Sequence, residues 1–211
     1  VDWLRVLYLY PEDVNDELVD AMAKIPNFCR YLDVPLQHAS PKMLKEMNRR
    51  YTREDYLKLI RYAKERIPDV VFTSDIIVGF PTETEEDFEE SCRFAEEMEF
   101  AKVHVFPYSR RTGTDAADMP DQIPNSVKTE RAAKLAARAE AVRQKFLEKQ
   151  VGLTESVLIE SEIKDGMMQG YTMNYTPVVI PAVKSLLSTV QEVVITGVSG
   201  DVCTGRIKNP P

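Results

Sequence analysis

Cysteine is scarce here: three residues in 211, Cys29, Cys92 and Cys203, scattered without pairing or metal-ligand spacing. That excludes a disulfide-stapled scaffold and a cysteine-held cluster built on a local loop, and each thiol is expected as a small buried hydrophobe. No apolar run approaches the roughly 18 residues of a membrane span, so the chain is expected to be cytoplasmic with no membrane partner. An excess of positive charge is also lacking. The net charge of -7 argues against a nucleic-acid footprint over the whole surface, while leaving room for a local basic stripe. There is no initiator Met and no signal peptide, and Val1 leads almost at once into an apolar strand pattern. The expectation is a fragment. With 44% hydrophobic residues the composition allows one sizeable core plus a small appendage.

The stretch that organises the rest is Thr73 to Phe88, TSDIIVGFPTETEEDF. Ile76, Ile77 and Val78 form the short apolar run of a buried parallel strand. Gly79 permits a turn or a close approach, Pro81 stops the ladder, and Thr84 with Asp87 forms a capping box for a helix opening near Glu85. In α/β folds ligands lie at the carboxyl ends of strands, where such turns fall. Any strand-to-helix unit needs a turn of this kind, so spacing alone leaves the choice even.

Other units repeat the pattern. Trp3 to Tyr10 reads as a strand, with a helix opening near Asn15 that carries Leu18, Met22 and Ile25 on one face. Tyr31 to Gln37 reads as a strand ending in the polar cluster Gln37, His38 and Ser40, and Ser40 before Pro41 caps the next helix. A further helix starts at Thr52, with Asp55 completing a box, and ends before Pro68. The nine acidic residues from Glu83 to Glu99 sit at helical spacing beside Phe88, Cys92, Phe94 and Ala95, which reads as a solvated face rather than a metal cluster. A strand from Lys102 to Tyr108 closes the series. The alternation predicts parallel βα units over 1–124.

Residues 110–124 read as a loop, and 125–150 as a long basic helix bearing Lys128, Arg131, Lys134, Arg138, Arg143, Lys145 and Lys149. From Leu153 the periodicity shortens to strands over Ser156–Glu160, Met168–Tyr171, Val178–Ile180 and Glu192–Val198, which predicts a small five-stranded barrel of the oligonucleotide-binding kind over 151–211. That module carries four basic against six acidic side chains, so it is a poor electrostatic binder by itself.

Five ordered segments carry a family likeness: YLDVPLQHAS, MNRRYTREDY, SDIIVGFPTETEEDF, VHVFPYSRRTGTDAA and GYTMNYTPV. Together they resemble the radical S-adenosylmethionine methylthiotransferases. The resemblance implies an α/β fold, the carboxyl half of a partial TIM-like barrel, followed by a small all-β barrel, the TRAM domain. It implies S-adenosylmethionine and 4Fe-4S clusters as cofactors of the parent protein, monomeric, although the CxxxCxxC loop that would hold the radical cluster is missing. Thr82 stands where the family usually has Gly.

On this likeness the cofactor's organic part is expected against Gln37, His38, Ser40, Ser74, Asp75, Ile77, Gly79, Glu83, Phe106, Tyr108 and Ser109. Ile77 and the Gly79 backbone suit adenine, while Gln37, Ser74 and Asp75 suit ribose or methionine. His38 reads equally as a ligand group or a structural one. His104, inside an apolar strand, is expected as a satisfied core residue.

Two substrate branches share the likeness. LYLYPE and YLDVPLQHAS resemble enzymes that methylthiolate an aspartate of a small-subunit ribosomal protein. The later segments resemble those that modify the hypermodified adenosine beside a tRNA anticodon. Tyr171, Asn174 and Tyr175 read either as an RNA stacking surface or as a turn with two half-buried tyrosines. With Arg131, Arg138 and Arg143 on the basic helix they are the expected tRNA contacts. The alternatives are the ribosomal protein as substrate, or a non-catalytic RNA-binding module.

Overall fold

Helix starts follow the capping signals. In the computed structural model, which describes residues 1–209 with the side chain of Lys164 excepted, Asn15 accepts from the Leu18 N–H to open α1 (Asp16–Ala23). Ser40 with Pro41 opens α2 (Pro41–Glu46). Reciprocal boxes, Thr52 with Asp55 and Thr84 with Asp87, open α3 (Arg53–Arg66) and α4 (Glu85–Glu97). α1 ends before Ile25, which is exposed rather than packed on its face. The last two residues of the expected 151–211 unit lie outside the described residues.

Four parallel strands form one open sheet in the order β1 (Leu4–Val6), β2 (Phe28–Asp33), β3 (Val71–Val78) and β4 (Lys102–Pro107). β1 is shorter than the Trp3–Tyr10 run suggests. β2 starts at Phe28, and its ladder breaks after Asp33 because Pro35 has no N–H to donate. The backbone rejoins only at Gln37, which bridges to Ile76.

Alternation along β3 decides what each face does. Phe72, Ile76 and Val78 turn toward the helices, where Tyr56, Phe94, Phe100 and Leu32 are fully or almost fully buried. Tyr56 is sealed in that layer with its hydroxyl donating to Val34 O at 2.7 Å. Thr73, Asp75 and Ile77 turn to the opposite face, which carries no helix.

After a one-turn helix, α5 (Asp115–Asp118), the long α6 (Asn125–Gln150) runs along the structure. It contributes Leu135 to the core around Ile76, Val78 and Phe88, and Leu147 to the core of the second unit. The helix is therefore a shared wall of both cores rather than only a connector.

The second unit is a closed barrel in the order β5 (Thr154–Ile163), β6 (Met167–Thr172), β7 (Pro177–Pro181), β9 (Val202–Ile207) and β8 (Val190–Ser199). Only β7 and β9 pair in parallel. Closure removes the free edges that five short strands would otherwise expose. Val157, Ile159, Val178, Ile180, Val193 and Cys203 fill it. β9 escapes the sequence reading because Gly205 and few apolar residues leave its alternation faint.

Gly170 on β6 shows how tight the barrel is. A Cβ there would lie 2.2 Å from the Leu158 carbonyl oxygen on β5, and backbone cannot swing aside as a side chain can. We expect Gly170→Ala to cost roughly 2–3 kcal/mol, read as a lower urea midpoint at unchanged slope. An unchanged midpoint would show that the β5–β6 pair has slack.

Candidate functional site

The carboxyl ends of β2, β3 and β4 bring together only part of the expected set. Gln37, Asp75 and Ile77 are half-buried on the helix-free face, and Phe106 is 49% exposed beside them. Register pairs Ile77 with Phe106 and Asp75 with His104. Gln37 sits at φ +72° with its N–H on the Asp75 carbonyl and its own carbonyl on the Ile77 N–H, so its side chain is held at the strand mouth. Burial, then the neighbouring Asp33, pushes the Asp75 carboxyl up, while His104 pulls it down. An apolar ledge with an amide and a carboxyl at its rim suits a nucleoside.

His104 is not a core residue. It is exposed and stacks near Phe106, ring centroids 6.5 Å apart. The strand's apolar run is carried by Val103 and Val105, which face the helices, so alternation places His104 on the open face.

Four expected cofactor contacts belong to the interior instead. Ser74 is fully buried: it accepts from Leu36 N and donates to Val34 O, tying the irregular end of β2 to β3. Ser40 caps α2 and donates to Asp87 at 2.7 Å. His38 is fully buried. Its Nδ1 accepts from the Ser40 N–H at 3.0 Å, so the proton lies on Nε2, which donates to Glu83 at 3.0 Å. Glu83 in turn accepts from the Gly79 N–H at 2.7 Å and from the Arg131 guanidinium. One buried carboxylate thus holds the ends of β2 and β3 to α6, and both its oxygens are engaged by the protein.

Gly79 is required by packing and by its backbone. Its φ is +70°, and an added Cβ would meet Lys128 Cγ at 2.2 Å. Lys128 is itself buried, lies over the Tyr108 ring and donates to the Tyr108 carbonyl at 3.1 Å. Tyr108 packs edge-on against Phe80, whereas Ser109 is exposed. Two cations of α6, Lys128 and Arg131, therefore pin the mouth of the sheet. Sequence reading misses this for Lys128, since a lysine in a basic amphipathic run gives no sign of burial.

Thr82 takes φ +69°, and its hydroxyl is buried without a partner among the described residues. A β-branched residue is strained in that region, where glycine is not. At the head of α4, burial would raise the Asp87 carboxyl, but hydrogen bonds from Ser40, Thr84 and Lys42 hold it well below the usual carboxylate range. The cap is ionised at neutral pH.

The expected RNA contacts are engaged within the protein. Arg131 is 8% exposed and bound to Glu83. Arg138 pairs with Glu89 and Glu96 on α4, and Arg143 donates to the Ala101 and Asp201 carbonyls. Asn174 accepts from the Thr176 N–H and hydroxyl, closing its own turn. Tyr175 packs against Tyr31 (5.1 Å) and Tyr171 (4.8 Å) with Arg5 4.2 Å over its ring. The acidic α4 absorbs the basic face of α6, which the separate charge counts of the two segments conceal.

Cluster ligands are a poor fit to these residues. The three thiols are buried on β2, α4 and β9, and burial pushes those of Cys92 and Cys203 up to about 11. Among the described residues no group of three or more His, Cys, Asp or Glu converges on a metal site.

Two outcomes follow from the mouth. Arg131→Ala leaves Glu83 buried and uncompensated and should cost roughly 3–5 kcal/mol; the added substitution Glu83→Gln should recover part of it. Equal stability of the two variants in urea unfolding would contradict the pairing. Thr82→Gly should raise stability by about 1 kcal/mol, visible as a higher melting temperature, and a fall would show that the hydroxyl has a partner.

The sequence profile of the Radical SAM superfamily matches residues 3–95. The ribosomal protein uS12 methylthiotransferase RimO of Clostridioides difficile is 41% identical over 81% of this chain and 38% of its own length. The tRNA-2-methylthio-N(6)-dimethylallyladenosine synthase of Geobacillus thermodenitrificans is 39% identical over 98% of this chain and 40% of its own. The chain thus spans about two fifths of the curated relatives it matches. Among solved structures, archaeal Methanocaldococcus infernus Elp3 with an N-terminal deletion superposes with a TM-score of 0.50 at 12% identity, covering 85% of this chain and 60% of that one. That likeness concerns the fold alone. The superfamily profile over β1 to β3, with two kinds of methylthiotransferase at about 40% identity, places the chain in the radical S-adenosylmethionine methylthiotransferase family.

Proposed function

We propose that this chain is part of an enzyme that adds a methylthio group to a hypermodified adenosine beside the anticodon of tRNA. The carrying observation is reach. Relatives of the tRNA type align over as much as 98% of the chain, through the small barrel, although one of them aligns over 82%, whereas those of the ribosomal-protein type align over 79% to 84%. A second reading, methylthiolation of a ribosomal-protein aspartate, draws on the 41% identity of that relative and on the internal pairing of the α6 arginines, which leaves less free positive charge for phosphates.

S-adenosylmethionine, with its iron-sulfur cluster, supplies the radical and methyl chemistry in this family. This chain's own share is to bind and orient the nucleoside portion. Ile77 and Phe106 offer apolar surface to adenine, and the Gln37 amide and Asp75 carboxyl face the polar groups of ribose or methionine. Ser74, Glu83 and His38 act from below, by fixing the strand ends that carry those groups.

In the full-length protein, tRNA that carries the hypermodified adenosine but no methylthio group should gain sulfur and methyl by mass spectrometry while the ribosomal protein gains neither. Gln37→Ala and Asp75→Ala should weaken S-adenosylmethionine binding yet leave the melting temperature within a few degrees, since strand-end polar groups serve ligands. Added mass only on the protein's aspartate would favour the second reading.

A further inference from the structure

Among the described residues Lys128 is the only buried lysine, and packing alone does not account for it. It is 8% exposed and, among the described residues, has no carboxylate within ion-pair distance. Arg131, further along the same helix, differs in that its charge is met by Glu83. An aliphatic side chain at position 128 would fill the same space without the cost of taking an ammonium out of water. The nitrogen therefore has a task of its own.

That task is visible at the end of β4. Pro107 has no N–H, so the connection to β3 is carried past it by Tyr108, whose N–H donates to the Val78 carbonyl at 2.8 Å. The Tyr108 carbonyl then accepts from Lys128 Nζ at 3.1 Å, while the Lys128 stem lies so close to Gly79 that a Cβ there would meet its Cγ at 2.2 Å and its Cδ at 3.0 Å. One side chain thus holds both strand ends. Ile77 lies just before Val78 and Gly79, Phe106 just before Pro107 and Tyr108, and the two are register partners. We propose that Lys128 is a positioning residue for the cofactor, fixing from α6 the spacing of Ile77 and Phe106, the apolar surface that receives adenine. The proposal rests on the reading of that face as the nucleoside site, and it adds a residue that acts on the ligand only through the strands.

The rest of α6 is anchored independently. Arg131 is bound to Glu83, and Leu135 packs with Ile76, Val78 and Phe88. Removing the Lys128 ammonium therefore loosens the end of β4 without detaching the helix. Tyr108 also loses the cation 5.4 Å from its ring centroid, and the ring keeps only its edge-on contact with Phe80.

Lys128→Met keeps the stem and removes the donor. In the full-length protein with its cluster loaded, equilibrium dialysis should show S-adenosylmethionine and methylthioadenosine, which shares its nucleoside but not its amino acid, each bound about tenfold more weakly. The melting temperature should stay within a few degrees, and the KM for the cofactor should rise while kcat holds. Lys128→Arg, which restores a donor toward the Tyr108 carbonyl, should recover part of the affinity. In the 211-residue chain without ligand, the Tyr108 amide should exchange with deuterium faster in Lys128→Met than in the parent. Unchanged affinity for both ligands in a folded variant would overturn the role of Lys128 and leave the cofactor reading standing. A loss confined to S-adenosylmethionine would also overturn it, by moving the effect to the methionine end, and collapse of the fold would make Lys128 structural instead. Failure of the parent protein to bind either ligand would overturn both the cofactor reading and the proposal.

Discussion

A single buried carboxylate sets the geometry of the candidate site. Glu83 is inaccessible to water and takes donors from three elements: His38 after β2, the Gly79 N–H after β3, and Arg131 on α6. Isolating a charge in the interior is costly, and the arrangement is stable only while all these donors remain. That couples events far apart in sequence. If α6 shifts, Arg131 leaves, and the turn carrying Gly79 loses the partner that holds it.

Much of the architecture is legible because it is locally encoded. The boxes at Thr52–Asp55 and Thr84–Asp87 and the Ser40–Pro41 start are decided within four residues of chain, so reading them requires no tertiary knowledge. The parallel sheet follows from alternation, and the small barrel from short strands and turns. The site is less legible because local pattern does not say which polar groups face inward. Ser74 and Asp75 are neighbours with the same polar character, yet one is sealed between strands and the other opens to the ligand face. Register alone separates them. The same parity moves His104 from the expected core to the surface.

Charge is the second place where local reading fails. α6 is basic and α4 acidic, and each looks solvated by itself. Packed together they form the series Arg131–Glu85, Lys134–Glu89 and Arg138–Glu89. The more exposed Lys134 and Arg138 pairs contribute little stability individually. Their larger effect is on availability, since a guanidinium held between two carboxylates is a weak phosphate ligand. Only Lys128 and Arg131 are buried, and those two act on the sheet's mouth.

The helix-free face of the sheet is closed unevenly, and this places the remaining functions. Toward the amino ends of the strands, the turn of the small barrel covers it: Tyr175 rests on Tyr31, Arg5 donates to the Thr172 carbonyl, and Tyr31 and Asp33 become buried. Burial pushes the Tyr31 phenol up to about 12, so it stays neutral and accepts from Thr73. Toward the carboxyl ends nothing covers Asp75, Ile77, His104 or Phe106 completely. A polar or charged group is tolerable on the open part because water still reaches it, whereas the covered part must satisfy its polar atoms internally. The small barrel thereby fixes where the ligand face begins, and Asp33 and Asp75, two residues of one type on adjacent strands, fall on opposite sides of that line.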